Sequence, residues 1–257
     1  MANQPKKNAS GNRAQEKAAT AARRDARREK AAVQAARLKA EAAARKRKDR
    51  LIVGGVVAVV LALIIGGVWF QISRNSGPVE TPANASSEYG FSVGEDDAPT
   101  EVEIIADYLC PACASFEGAT DEQLAAAVEA GKAKVTYFPV VILDDYGDYS
   151  ARAANAVGVV LDTAGPEVAL EFNRNLFAEQ PAEAGNKPDD DWLIDLAVES
   201  GAKEADIREG IEDSQFERWI KEGTQEAQRR GMKGTPTIFI DGKMVDPAAA
   251  ATQIAAL

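Results

Sequence analysis

The stretch YLCPACASFE, residues 108–117, contains both cysteines of the 257-residue sequence, Cys110 and Cys113, and the sequence has no histidine. A zinc site takes four ligands, mostly cysteine or histidine, so two cysteines without a histidine argue against a metal. A structural disulfide between these two residues would restrict the unfolded chain very little, because the loop that it closes is so short. The spacing therefore favours a redox-active pair and implies neither a metal nor an organic cofactor.

The residues around the two cysteines suit disulfide exchange. If a helix begins at or just after Cys110, the Cys110 sulfur faces unpaired backbone N–H groups and the positive end of the helix dipole, which both stabilise a thiolate. Pro111 then occupies the first helical position, where its missing N–H costs nothing. Cys113 lies one turn further on and can resolve a mixed disulfide at Cys110. The pattern predicts that Cys110 is the attacking and leaving sulfur.

Strands and helices alternate around this stretch. The sequence EVEIIADY (101–108) predicts a strand, which the cysteines and a helix follow. The sequence TDEQLAAAVEAG (120–131) predicts a further helix, with Thr120 as its N-cap. The sequence KVTYFPVVIL (134–143) is β-branched and aromatic and predicts a second buried strand.

The second half of the sequence is helical up to a closing hairpin. Residues from about 149 to 231 have helical periodicity. The sequence TPTIFIDGKMV (235–245) indicates a hairpin that turns at Asp241-Gly242, and Asp246-Pro247 begins a short helix. A proline cannot join a β-ladder as a central member, so Thr235-Pro236 indicates a special turn at the start of that strand.

A long apolar run precedes the predicted domain. The sequence LIVGGVVAVVLALIIGGVWF, residues 51–70, is uncharged and long enough, as a helix, to cross a hydrocarbon core of about 30 Å. It exceeds the usual apolar length of a signal peptide, and no small-residue cleavage site follows it closely. The basic cluster RKRKDR (45–50) lies on its N-terminal side. We predict a single transmembrane helix over residues 51–72, with a cytoplasmic N-terminus and the C-terminal part outside the cytoplasm, where disulfides persist.

Composition separates the remaining parts of the chain. Residues 1–50 contain 16 Lys and Arg against 5 Asp and Glu and are predicted to be a basic cytoplasmic arm. Residues 73–88 are rich in small polar residues and are predicted to be a linker. Residues 89–257 are the size of one domain. From residue 51 onward the chain contains 35 acidic and 14 basic residues, which argues against nucleic acid as a partner.

The sequences VEIIADYLCPAC and GTPTIFIDG, with a helical block at about 146–231 between them, resemble the thioredoxin superfamily, and more closely its DsbA-like branch. The resemblance covers roughly residues 89–257. It implies an α/β thioredoxin fold with an inserted helical block, preceded here by a single transmembrane helix and a basic arm, which is similar to actinobacterial members. It also implies a cis Thr235–Pro236 bond that faces the cysteines.

The resemblance assigns a role to each residue of the two motifs. It implies that Cys110 is the nucleophile and Cys113 the resolving cysteine. Thr235 and Pro236 then form the loop that pairs with the substrate backbone. Pro111 and the residue after it, at position 112, are the positions that tune the active site.

Two positions depart from the DsbA pattern. DsbA has a histidine where this sequence has Ala112, so a donor to the Cys110 thiolate is missing, and we expect a weaker oxidant by some tens of millivolts. Family members often have a buried acid where this sequence has Ile104. Strand alternation indicates that the neighbouring Glu103 is an ordinary exposed charge. Asp107 is interpreted as an exposed carboxylate at the strand end, which leaves the proton route open.

The residues and the resemblance together predict a membrane-anchored, extracytoplasmic thiol:disulfide oxidoreductase of the cell envelope. It would oxidise cysteine pairs of exported proteins that are unfolded or partly folded and have free thiols. The resemblance implies reoxidation by a membrane partner similar to DsbB or vitamin K epoxide reductase. Two alternatives stay open: a reductase or isomerase of the same fold, which the missing histidine favours, and a redox-inert thioredoxin-like binding module.

Overall fold

The computed structural model describes residues 78–257 and, N-terminal to them, residues 23–24, 27–30, 32–35, 37, 39, 45–46, 53–57, 59–67 and 69. Contacts divide the chain into two units, Met1–Ser76 and Gly77–Leu257. The described residues of the first unit are helical and exposed. No helix in the described part of the chain has both the length and the apolarity that crossing a membrane requires. The predicted basic arm and transmembrane helix lie partly outside the described residues.

Five strands form one mixed sheet within residues 78–257. They are β1 (Phe91–Val93), β2 (Thr100–Ala106), β3 (Ala133–Pro139), β4 (Thr237–Ile240) and β5 (Lys243–Val245). Their order across the sheet is β1-β3-β2-β4-β5. Strands β2 and β3 are parallel, and each of the other neighbouring pairs is antiparallel. The central position of β2 explains its consecutive buried residues Ile104 and Ile105, because a central strand is covered on both faces.

Helices cover this sheet, and most of them lie in one continuous insertion. In the same residue range they are α1 (Pro111–Glu129), α2 (Tyr149–Ala164), α3 (Pro166–Ala178), α4 (Asp190–Glu199), α5 (Glu204–Glu212), α6 (Glu217–Arg229) and α7 (Pro247–Ile254). Helix α1 connects the parallel strands β2 and β3. Helices α2 to α6 are inserted between β3 and β4, so the predicted α/β fold with a helical insertion is confirmed.

The two faces of β2 belong to different apolar clusters. Ile104 packs into the main core together with residues of α1 and of the insertion. Ile105 points to the opposite face and packs with Phe138, Phe239 and Ala227 of α6. Successive side chains of a strand alternate between faces. Odd-numbered residues of β2 therefore face away from the active-site helix.

The prediction of two helices between the cysteines and β3 was wrong. Helix α1 is continuous from Pro111 to Glu129, and Thr120 is buried within it. The Thr120 hydroxyl donates to the carbonyl oxygen of Phe116 at 2.8 Å. The hydroxyl therefore bonds to the preceding turn of the same helix instead of capping a new one.

The predictions for the C-terminal part are confirmed. Strands β4 and β5 form a hairpin whose turn residues, Asp241 and Gly242, have φ angles of 50° and 72°. Two-residue hairpin turns of the common type require positive φ at both positions, which explains the Asp-Gly pair. Asp246 caps α7 by accepting a hydrogen bond from the N–H of Ala248 at 3.0 Å.

Residues 78–88, which fall within the predicted linker, contact the helical insertion. The N–H of Ala83 donates to a carboxylate oxygen of Asp162 at 2.6 Å, and the side chain of Asn84 donates to the Leu161 carbonyl at 2.9 Å. The indole N–H of Trp219 donates to the Glu88 carbonyl at 2.7 Å. These bonds hold the segment against α6 and the C-terminal end of α2.

Candidate active site

Cys110 lies where β2 leads into α1. It is the N-cap residue of α1, and Pro111 occupies the first helical position. The Cys110 carbonyl accepts hydrogen bonds from the N–H groups of Cys113 at 3.0 Å and Ala114 at 3.2 Å. Both cysteines are free thiols. Cys110 is 8% exposed and Cys113 is 2% exposed. The predicted helix start is confirmed, and Cys110 is the more accessible of the two cysteines.

The pKa values of the two thiols are shifted in opposite directions. Hydrogen bonding from Cys113 is the main cause that lowers the pKa of Cys110 to about 6. Burial raises the pKa of Cys110 in opposition to this hydrogen bond. The Thr235 side chain and the N–H groups of Cys113 and Ala112 lower the pKa further. Burial raises the pKa of Cys113 far above the ordinary thiol range, and the neighbouring Cys110 adds to that rise. At neutral pH Cys110 is therefore mainly a thiolate and Cys113 a thiol.

The loop before β4 lies against Cys110. The Thr235–Pro236 peptide bond is cis, and the Cys110 sulfur lies 3.3 Å from the Thr235 carbonyl oxygen. The hydroxyl of Thr237 donates to the Gly234 carbonyl at 2.7 Å and closes the loop. Strand β4 pairs with β2 in antiparallel register. That pairing brings together two motifs that are far apart in the sequence.

The surface around Cys110 is formed by small uncharged residues. Pro111 and Ala112 are exposed, and Thr235 and Pro236 are half-buried. We call these four residues the active-site rim. Residues 108–116 and 234–240 contain no charged side chain, although acidic residues predominate in the domain as a whole. The rim is therefore an uncharged patch on an acidic protein.

Asp107 is buried, and its interpretation as an exposed carboxylate was wrong. It is 0% exposed. One carboxylate oxygen accepts from the Leu109 N–H at 2.8 Å and the Ser150 hydroxyl at 2.6 Å. The other accepts from the N–H groups of Ile142 at 2.8 Å and Leu143 at 3.1 Å. Asp107 thus connects the turn before Cys110 and the loop after β3, whose N–H groups require an acceptor, to the Ser150 hydroxyl in the first turn of α2.

Gln180 supports the active-site turn from the insertion. It follows α3, and its side-chain N–H group donates to the carbonyls of Tyr108 and Cys110, each at 3.0 Å. The sequence analysis missed this residue. A glutamine seventy positions downstream of the cysteines carries no local signal, because its role depends on how the insertion packs.

Glu103 and Ile104 lie on opposite faces of β2. Glu103 was predicted to be an exposed charge, but it is only 17% exposed and forms an ion pair with Arg230. The Arg230 guanidinium lies 4.7 Å from the centre of the Phe239 ring. Glu103 therefore belongs to the face of β2 that is turned away from α1. Ile104, on the active-site face, is 2% exposed and packs in the main core.

A second buried acid, which the sequence analysis missed, lies on α1 itself. Glu117 is 5% exposed and follows Cys113 by one helical turn. The Asn173 side chain donates to its carboxylate at 2.9 Å, and the same asparagine accepts from the Tyr108 hydroxyl at 2.8 Å. We call Asp107, Glu117, Asn173 and Gln180 the supporting layer. The sequence did contain a signal for this residue, because a glutamate four positions after Cys113 lies on the apolar face of the helix.

Comparisons with known proteins agree with this geometry. The sequence model of a thioredoxin family matches residues 86–257. The disulfide bond formation protein D of Bacillus subtilis is 26% identical over 155 residues, which are 60% of this chain and 68% of that protein. The reduced DsbA of Mycobacterium tuberculosis is 30% identical, with a TM-score of 0.53 over 66% of this chain and 88% of that one. The reduced disulfide bond oxidoreductase DsbG of the same organism is 30% identical, with a TM-score of 0.54 over 71% and 89%.

Proposed function

The chain belongs to the thioredoxin family and, within it, to the DsbA-type thiol-disulfide oxidoreductases, and from this premise we propose that it oxidises cysteine pairs of exported proteins through Cys110 and Cys113. The observation that carries the proposal is the arrangement of two free cysteines, Cys110 at the N-terminus of α1 beside the cis Thr235–Pro236 loop and Cys113 buried one turn further on, and their opposite pKa shifts agree with it. A pair in which one sulfur is a thiolate and the other a buried thiol has one sulfur for attack and departure and one for resolution.

The reaction begins with the disulfide between Cys110 and Cys113. A thiolate of the client attacks the Cys110 sulfur, the bond to Cys113 breaks, and Cys113 takes up a proton. A second thiolate of the client then attacks the client's own sulfur in the mixed disulfide, and Cys110 leaves as a thiolate. The client loses two electrons and the enzyme gains them, so no cofactor is required. The low pKa of Cys110 makes it a good leaving group and favours the reduced enzyme.

The active-site rim gives the client a place to bind. The backbone of Thr235 and Pro236 lies beside the Cys110 sulfur and is partly exposed. An extended client segment would pair with this backbone while its cysteine reaches Cys110. The uncharged rim suits unfolded clients, because unfolded chains expose apolar side chains.

The proposal also assigns a location to the domain. The uncharged run at residues 51–70, with a basic cluster on its N-terminal side, supports a single membrane anchor with a cytoplasmic N-terminus. The catalytic domain would then lie outside the cytoplasm, where client cysteines become oxidised. A membrane protein similar to DsbB or vitamin K epoxide reductase would reoxidise the cysteine pair after each cycle.

A reductase or isomerase is the second candidate, because Ala112 offers no side-chain donor to the Cys110 thiolate. The reduction potential of the full-length protein, measured by equilibration with glutathione, separates a reductase from an oxidant or isomerase. A value of about −120 to −180 mV, as in oxidants and isomerases, supports disulfide donation, and a value of about −270 mV, as in thioredoxin, supports a reductase.

Substitution of single cysteines tests whether the pair is active at all. The full-length Cys113→Ser protein, expressed in cells, should accumulate mixed disulfides through Cys110 that reducing agents release, because the resolving thiol is missing. The matched Cys110→Ser protein should accumulate none. If neither variant traps a client, the domain is a redox-inert binding module and the proposal is wrong.

A further inference from the structure

The reaction requires a proton at a buried position. When the disulfide opens, Cys113 leaves as a thiolate in a site that is 2% exposed. A charged sulfur without a partner is costly in such a place, and burial raises the pKa of Cys113 far above its ordinary range. Water reaches this site poorly. A proton donor close to Cys113 would therefore accelerate the step.

Glu117 is placed for this task. Residues four apart on a helix are neighbours on one face, with about 5–6 Å between their Cβ atoms. Glu117 follows Cys113 at that spacing on α1, and both side chains are buried. The carboxyl group and the thiol therefore lie on adjacent turns of one buried face.

The hydrogen bonds around Glu117 leave its own proton available. Tyr108 donates to Asn173, and Asn173 donates to Glu117, so the chain of donors ends at the carboxyl group. Burial raises the pKa of Tyr108, which stays a phenol and a donor. A carboxyl group at the end of such a chain accepts a hydrogen bond and does not have to donate its own proton for the hydrogen bonds of Asn173 and Tyr108 to form. A small cavity beside Glu117 and Tyr108, lined also by Ile104, has room for about one water molecule.

Charged groups on two elements set the protonation of Glu117. Burial is the main cause that raises its pKa to about 7, and Asp121 on the same helix raises it further. Arg174 on α3 and the hydrogen bond from Asn173 act in the opposite direction. Arg174 donates to Asp121 at 2.6 Å, so its positive charge is engaged with that carboxylate. Tyr137 on β3 also faces Glu117, and burial keeps this tyrosine protonated.

The other acids near the cysteines are unsuited to this role. Both oxygens of Asp107 already accept hydrogen bonds from the turn and loop that they connect. Glu103 lies on the opposite face of the sheet in an ion pair with Arg230. Position 104, on the active-site face of β2, is an isoleucine.

We propose that Glu117 is the proton donor and acceptor of Cys113, supplied by the active-site helix in a chain that has no acid at position 104. In the oxidising direction the client thiolate binds to the Cys110 sulfur, the disulfide breaks, and the Glu117 proton moves to Cys113. The products are a mixed disulfide, a neutral Cys113 thiol and a Glu117 carboxylate. The inference rests on the proposed exchange reaction and holds for either direction of electron flow.

The pH dependence of a single turnover tests the inference. We would measure the rate at which the oxidised full-length protein oxidises a dithiol peptide between about pH 5.5 and pH 9. Glu117→Gln should lower that rate on the order of a hundredfold below pH 7 and have little effect above pH 8, where wild-type Glu117 has lost its proton. Glu117→Asp should restore part of the rate. Asp121→Asn should keep the inflection and move it to lower pH, because a negative charge that raises the pKa of Glu117 is gone.

Several outcomes would overturn the inference. Glu117→Gln could have the wild-type pH profile, or both Glu117 variants could be slowed equally at every pH, as a structural role would require. If Glu117→Gln does not fold, redox-difference infrared spectra of the wild type decide: the band of a protonated carboxyl group should change on reduction near pH 7, and its constancy would refute the role. If the wild type itself oxidises no peptide, the proposed function fails, which is a different result.

Discussion

The active-site rim and the supporting layer beneath it are built in different ways. The rim acts on Cys110 through backbone groups, the Thr235 side chain and one helix terminus, and its residues come from two short motifs. The supporting layer acts through side chains, and two of its members, Asn173 and Gln180, come from the helical insertion. The rim therefore sets the reactivity of Cys110. The supporting layer holds the rim in position and, in our proposal, supplies the proton that Cys113 requires. Substitutions in the two regions should change different measured quantities.

The largest effect on stability is expected from the supporting layer, with Asp107→Asn. The amide group would place donors against N–H groups that now donate to the carboxylate, such as those of Ile142 and Leu143. Loss of these charge-assisted bonds should lower the free energy of unfolding by about 2–3 kcal/mol in chemical denaturation. Asp97→Asn, at an exposed turn, is the control and should change it by less than about 0.5 kcal/mol. Equal stability of the two variants would contradict the role of Asp107.

The rim should respond in reactivity rather than stability. Ala112→His adds a donor near the Cys110 thiolate and should lower the pKa of Cys110 by about one unit, which raises the reduction potential by about 30 mV. The thiolate is lost as pH falls through its pKa, so alkylation of Cys110 should be half-maximal near pH 6 in the wild type and at lower pH in the variant. Ser115→His, on the exposed next turn, is the control. An unchanged alkylation profile for Ala112→His would show that a side chain at position 112 does not reach the Cys110 thiolate.

Gln180→Ala tests whether the insertion supports the rim. The variant loses the hydrogen bonds to the Tyr108 and Cys110 carbonyls, but the Cys110 carbonyl keeps its two helical donors. We expect a loss of about 1 kcal/mol in the free energy of unfolding and a change in potential smaller than that of Ala112→His. Gln253→Ala, at an exposed position of α7, serves as the matched control. If Gln180→Ala changed the reduction potential more than Ala112→His does, the rim and the supporting layer would not differ in their effect on reactivity.

The smallest effect is expected from Glu103→Gln, on the other face of β2. The ion pair with Arg230 is partly exposed, and such pairs contribute less than about 1 kcal/mol. The alkylation profile of Cys110 should be the same as in the wild type. Lys134→Gln, which removes an ion pair with Asp96 from the neighbouring strand β3, provides a comparison of similar size. A shift of the Cys110 pKa in Glu103→Gln would mean that the sheet does not separate the two faces electrostatically.

Local signals predicted the turns and helix start that form the rim, and the family resemblance predicted that its two motifs meet. The start of α1 follows from Pro111, and the hairpin after Pro236 follows from Asp241 and Gly242. The same local rules gave the wrong result for Thr120, whose N-cap pattern lies inside a helix that packing keeps continuous. The supporting layer could not be predicted from spacing alone, because burial of Asp107 depends on a loop that meets it only in the folded chain.

Both edges of the sheet are short. Strands β1 and β5 have three residues each, and Lys243 begins the exposed edge β5. Sheet edges are templates for pairing with other chains, and short edges with a lysine oppose such pairing. A protein whose proposed clients are unfolded chains would contact many exposed apolar, aggregation-prone segments. Short sheet edges would leave few unpaired backbone groups on which such a client could nucleate an aggregate, which would favour its release after exchange.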